Sequence, residues 1–150
     1  MPLKRHEILQ PISREHHHGL LLSWKIRAGI KKEVAPARIK KYLNWFYTEH
    51  LFPHFEIEEK YIFPILGNEH ELIQKAIAEH RSLTRLFETE TDLIHNILLI
   101  EEELETHIRF EERVLFTEIQ EVATAEQLER IKMHHTEEQF VDNVEDAFWL

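Results

Sequence analysis

The chain contains no cysteine, which removes disulfides, zinc–thiolate sites, iron–sulfur clusters and thiol redox switches together. Any metal it holds must be bound through nitrogen and oxygen. Glycine and proline are scarce, three and five residues in 150, which argues against a turn-rich β-sandwich or a disordered chain. Basic residues are in deficit: 18 Lys and Arg stand against 28 Asp and Glu, a formal charge of -10, so the cationic surface on which nucleic-acid affinity rests is missing. No apolar run is long enough to span a bilayer, and Met1-Pro2-Leu3-Lys4-Arg5-His6 has no apolar stretch of the kind a secretory signal carries. The expectation is a cytoplasmic protein with neither nucleic acid nor membrane as partner.

Histidine is present in excess, twelve residues, alongside a surplus of glutamate, and that pairing points to metal or proton chemistry. The 43% hydrophobic and 31% charged composition suits one helical domain over 1–150. The run His16-His17-His18 continues directly into Gly19-Leu20-Leu21-Leu22-Ser23-Trp24 and belongs to the native sequence rather than to a tag.

Punctuation by proline and glycine predicts an all-α fold with helices at about 11–31, about 36–66, about 69–88 and about 92–121, and a shorter one at about 125–140. Ala35-Pro36 suits a helix entry and Gly67-Asn68 an exit. Asn68 with Glu71, and Thr124 with Gln127, read as capping pairs. Pro53 should bend the second helix just before His54. Short connections predict an antiparallel up-down four-helix bundle, core about 10–121, followed by a short C-terminal helix and tail over 122–150.

The second and fourth helices then repeat each other. His54-Phe55-Glu56-Ile57-Glu58-Glu59-Lys60-Tyr61-Ile62-Phe63 and His107-Ile108-Arg109-Phe110-Glu111-Glu112-Arg113-Val114-Leu115-Phe116 are both HxxxEExxxF. The first and third helices share a looser pattern, His17 before Leu20 and Trp24, His80 before Leu83 and Phe87.

Residues four apart lie one helical turn apart on one face, with Cβ atoms roughly 5–6 Å apart, so each His and Glu reaches a common site. Both pairs lie on apolar stripes: Phe46, His50, His54, Glu58, Tyr61, Ile62 and Ile65 on one helix and Leu104, His107, Glu111, Val114 and Leu115 on the other. Two carboxylates inside a bundle need a counter-charge. Lys60, Arg109 and Arg113 fall off the stripe, which leaves a metal. His80 is centred on the apolar face of the third helix. On the first, Leu20, Leu21, Trp24 and Ala28 cluster around the direction of His17, with His16 and His18 about a quarter turn to either side, and His17 is chosen. A solvated contact would account for either His–Glu pair alone, but not for the duplicated set. Four histidines and two glutamates suffice for two ions with bridging carboxylates, and iron suits such a shell.

On Glu79-His80, on His54xxxGlu58 before Ile62-Phe63-Pro64 and on His107xxxGlu111 before Leu115-Phe116, the sequence resembles the hemerythrin-like, HHE cation-binding family over about residues 10–120. The resemblance implies a four-helix bundle holding two iron ions with oxo or hydroxo and carboxylate bridges. Carried over by position, it implies His17, His54, His80 and His107 as terminal ligands and Glu58 and Glu111 as bridges. Two departures from the oxygen carriers of the family matter. Thr84 stands where they have a second histidine one turn after the third-helix ligand, and Glu112 stands where they have an aspartate. Of His50, His95, His134 and His135, His50 is best placed as a fifth imidazole.

The expected function is binding or sensing of oxygen, nitric oxide or iron at a non-haem di-iron site, with a diatomic ligand as partner. An oxidoreductase and an iron-site repair or iron-donor module acting on a partner protein are the alternatives. Ferritin-like enzymes present Glu-x-x-His where this chain has His-x-x-x-Glu, which weighs against turnover. The first helix also carries a second apolar stripe, Leu22, Ile26 and Ile30, opposite the His17 face, which the short C-terminal helix or the Phe148-Trp149-Leu150 tail is expected to cover; a homodimer contact is the alternative.

Overall fold

The computed structural model describes residues 4–135 and 140–150, and the described residues form helices and no strand. Helix α1 (Gln10–Lys31) is entered through one 3-10 turn, Glu7–Leu9, capped by His6, whose Nδ1 accepts the Ile8 N–H at 3.1 Å. Pro11 occupies its first turn, where a missing N–H costs no intrahelical bond. Helix α2 (Pro36–Phe46) starts on its proline as the sequence predicts.

The chain then continues helically through a π-helical segment, Tyr47–Leu51, helix α3 (Phe52–Ile57), a second π-helical segment, Glu58–Ile62, and a 3-10 turn, Phe63–Ile65. The irregularity expected at Pro53 is the wide turn on its N-terminal side, which absorbs the lost donor. Gly67, at φ 93°, ends this run in a conformation that favours glycine.

Helix α4 (Glu71–Glu88) is capped by His70, whose Nδ1 accepts the Leu72 N–H at 3.1 Å, and not by Asn68. A turn closed by His70 N–H on the Gly67 carbonyl carries the chain past Asn68 first. Helix α5 (Leu93–Phe110) passes through a third π-helical segment, Glu111–Leu115, into α6 (Phe116–Val122). Helix α7 (Ala125–His134) opens on the predicted capping box of Thr124 and Gln127. It ends at His134, and the expected continuation over 136–139 lies outside the described residues.

Two apolar clusters form the core. One contains Leu22, Ile26, Leu43, Phe46, Leu83, Phe87, Ile100 and Leu104. The other contains Ile12, Ile62, Phe63, Ile73, Leu115, Phe116, Ile119, Leu128 and Ile131. Along α1 the chain leaves the second cluster for the first. The α2–α3 run returns, α4 goes back to the first, and α5–α6 returns again. At each crossing one or two buried polar residues mark the boundary: His16, then His54 and Glu58, then His80, then His107 and Glu111.

Helix α1 packs closely along α5. A Cβ on Gly19 would sit 2.5 Å from Ile108 Cδ1, and Ser23 Oγ donates to the Glu101 carbonyl at 3.1 Å. The tail folds back onto α1 and α2. Phe148 is buried against Gly29, Ile39 and Tyr42, covering the Leu22, Ile26 and Ile30 stripe, while Asp142 accepts Lys25 and Tyr42 and Asp146 accepts Arg38. No described helix is long and apolar enough to cross a membrane.

Candidate metal centre

The boundary residues converge into two groups. His16, His54, Glu58 and Glu111 each present a donor atom within 4.8 Å of the others, and so do Glu58, His80, His107 and Glu111. All six are buried, and the two carboxylates belong to both groups. His16 Nε2 lies 3.0 Å from Glu111 Oε1, His54 Nε2 3.3 Å from Glu58 Oε2, His80 Nε2 3.1 Å from Glu58 Oε1 and His107 Nε2 3.3 Å from Glu111 Oε1. These contacts lack hydrogen-bond alignment. Both oxygens of Glu58, both of Glu111, and Nε2 of His80 and His107 have no hydrogen-bond partner. Six buried polar atoms aimed at shared points, rather than at each other, are the arrangement a cation completes. The donors are imidazole and carboxylate, which suit first-row metals.

The internal repeat extends to the backbone. Glu58 and Glu111 each open a π-helical segment, where the helix widens by a residue just after the carboxylate. Such bulges recur at functional sites because they re-phase the downstream turn without moving the residues before it.

A model of the hemerythrin HHE cation binding domain matches residues 8–95. The chain belongs to that family. No curated protein and no solved structure matches it. The matched segment of the HHE domain includes His16, His54, Glu58 and His80; His107 and Glu111 lie beyond it and join the site through the internal repeat and the packing of α5.

The structure corrects the choice made on α1. His17 is exposed and outside both groups, and His16 takes the position expected of it. The apolar count misled because the inner face of α1 carries Gly19 and Ser23, small residues that admit α5, while Trp24 is 50% exposed and Leu21 37%. One signal in the sequence did identify His16: the dipeptide Glu15-His16 matches Glu79-His80. His54, Glu58, His80, His107 and Glu111 come together as expected. His50 belongs to neither group, and its ring lies against Trp45 and Phe140. His95 is exposed, His134 stacks on Tyr61, and Thr84 accepts the Tyr47 hydroxyl at 3.2 Å.

A ring of four outer carboxylates was not foreseen. Each inner imidazole turns Nδ1 outward to one of them: His16 to Glu112 at 2.7 Å, His54 to Glu15 at 2.7 Å, His80 to Glu59 at 2.8 Å and His107 to Glu79 at 2.7 Å. Every one of these glutamates is the chain neighbour of an inner residue, yet serves a histidine on a different helix. Glu112 is itself held by Arg5 and Ser13, Glu79 by Lys75, and Glu15 by His135. Such partners fix the tautomer that leaves Nε2 free for a metal and raise its basicity. Glu112→Gln is therefore expected to weaken metal binding by about 10–100-fold without emptying the site, as read by chelator competition. Unchanged affinity would show that Glu112 holds Arg5 and nothing more.

Electrostatics bear on what fills the site. Burial pulls His54 and His107 down, but Glu58 and Glu111 outweigh it and raise them to about 9 and about 10. His16 and His80 are also raised despite burial, by the same carboxylates with Glu112 and Glu59. Burial alone would raise Glu58; the surrounding imidazoles hold it well below the usual carboxylate range. The centre favours positive charge, and protons and metal ions compete for the same Nε2 atoms.

Proposed function

We propose that this HHE domain holds two iron ions, one in the His16/His54 group and one in the His80/His107 group, with Glu58 and Glu111 bridging, inside an antiparallel up-down four-helix bundle. The observation that carries it is the sharing of two buried, unpartnered carboxylates by two sets of imidazoles. When bound, the iron pair supplies a redox-active position for a small ligand, and the reading is a protein that binds or senses oxygen or nitric oxide. The chain's own residues hold the imidazoles at Nδ1, exclude water with Phe55, Phe63 and Phe116, and leave entry from one side only partly closed. His80 is stacked on Phe55, centroids 3.8 Å apart, and His16 on Phe116 at 5.4 Å.

Metal analysis of protein made with ample iron, with optical spectra before and after oxygen or nitric oxide, tests this. About two irons per chain, with bands of a bridged pair that change on adding either gas, are expected. One zinc per chain and no response to either gas would overturn it.

A further inference from the structure

His135 is one of the histidines the sequence offered as a further ligand, and it belongs to neither group of donors. Its ring is nonetheless nearly enclosed, with 7% of the side chain exposed, and its Nε2 lies 2.9 Å from Glu15 Oε2. The other oxygen of the same carboxylate, Oε1, lies 2.7 Å from His54 Nδ1. An ionised carboxylate has only acceptors, so both imidazoles donate to it, and donation from Nδ1 leaves the Nε2 lone pair of His54 for a metal. Held at one oxygen alone, the flexible Glu15 side chain would swing between His54 and solvent. The second contact removes that freedom before a metal arrives.

The element that supplies this contact stands apart from the donors. The six buried residues of the centre come from α1, the α2–α3 run, α4, and α5 with its π-helical continuation, and α7 carries none of them. The place of α7 is set instead by Leu128 and Ile131, buried in the second core cluster, and by the capping box at Thr124. His135 closes this helix, its N–H donating to the Ile131 carbonyl at 2.9 Å, so a packed helix delivers the ring to Glu15. The other metal group is braced differently. Its Glu59 is 42% exposed and bonded to His80, and its Glu79 is tied to Lys75 of its own helix.

We infer that His135 is a positioning residue of the centre: through Glu15 it orients His54, and it acts on the ion of the His16/His54 group and not on that of the His80/His107 group. The inference rests on the metal-centre reading above.

The full chain loaded with ferrous iron in the absence of oxygen, titrated with a competing chelator, tests it. His135→Leu should give up one ion at about fivefold lower chelator and the other at an unaltered concentration, a smaller loss than the roughly 10–100-fold that follows removal of a group touching the imidazole itself. His135→Gln, whose amide N–H₂ reaches toward Glu15 as Nε2 does, should restore the behaviour of the unaltered chain. Glu15→Ala should be more damaging, and adding His135→Leu to it should change nothing further, because a residue that acts through Glu15 has no effect once Glu15 is gone. His134→Leu, at the adjacent position but stacked on Tyr61, should leave both ions held as before. If the unaltered chain takes up no iron, this inference falls together with the proposed function. If it takes up two ions and His135→Leu releases both as the unaltered chain does, only this inference is overturned. A loss that His135→Gln fails to rescue, that adds in full to Glu15→Ala, or that His134→Leu reproduces would overturn it as well, since each marks a general loosening at the end of α7 and not a contact made through Glu15.

Discussion

Glu58→Gln is expected to leave the protein unable to hold a metal pair and to erase the thermal stabilisation that metal gives the unaltered chain. Glu58 contributes to both groups, and its two oxygens have no other partner. An amide keeps the shape but offers one neutral oxygen and an N–H₂ that points a donor at the site. Metal present at about a thousand times its dissociation constant stabilises a folded protein by about 4 kcal/mol. In a chain of this size that corresponds to a rise in Tm on the order of 10 °C. Thermal unfolding with and without iron, together with metal content, reads both effects. Glu111→Gln should behave alike, because the repeat gives it the same position. Glu56→Gln, on the same helix but paired outward with Lys60, should leave content and shift unchanged. A full metal complement in Glu58→Gln would remove this carboxylate from the proposed bridge.

The metal-free protein should lose stability as pH rises from about 6.5 to about 10, and metal should reverse that trend. His54 and His107 are raised from an ordinary value of 6.5 to about 9 and about 10, burial being outweighed by Glu58 and Glu111. A group whose pKa is higher folded than unfolded stabilises fully below the unfolded value, and its contribution disappears as pH climbs through the folded one. On the acid side Glu15 has the opposite sign. Burial would raise it, but its bonds to His135 and His54 lower it from 4.5 to about 2, so its contribution is present above 4.5 and lost as pH falls through about 2. The stability maximum of the metal-free chain therefore lies between about pH 4.5 and 6.5. Metal affinity runs the other way, since each imidazole must release its Nε2 proton to bind, and uptake should acidify a weakly buffered solution. Denaturant midpoints across this range, with and without metal, check the prediction. A metal-free midpoint that rises between pH 6.5 and 10 would contradict the charge balance derived for the site.

Much of the centre was legible in local patterns. The one-turn spacing of His54 with Glu58 and of His107 with Glu111 is a property of any helix, and its duplication needed no tertiary knowledge. Pro36, Gly67 and the Thr124–Gln127 box act through their own backbone, so they too were readable. His16 was not, because the inward face of α1 is defined by what fits beside α5. Gly19 and Ser23 admit Ile108 and the Glu101 carbonyl, and no hydrophobic count rewards small residues for the space they leave. The outer glutamates were hidden for a similar reason. Glu15, Glu59, Glu79 and Glu112 sit at the edges of their own helices, where each looks solvated until a neighbouring helix supplies its histidine.

The sequence by itself determined that this chain is helical, cysteine-free and twice furnished with a His–Glu pair, so that a nitrogen- and oxygen-bound cation was the natural complement. Those features depend on residues close in sequence, and helix geometry alone relates them. Only the tertiary structure decided that His16 rather than His17 faces the cluster, that the two carboxylates are shared by both groups, and which outer glutamate holds which imidazole. Each of these depends on how closely and in what rotation one helix lies against another, which is set by side-chain volume at the contact and not by the pattern along either helix.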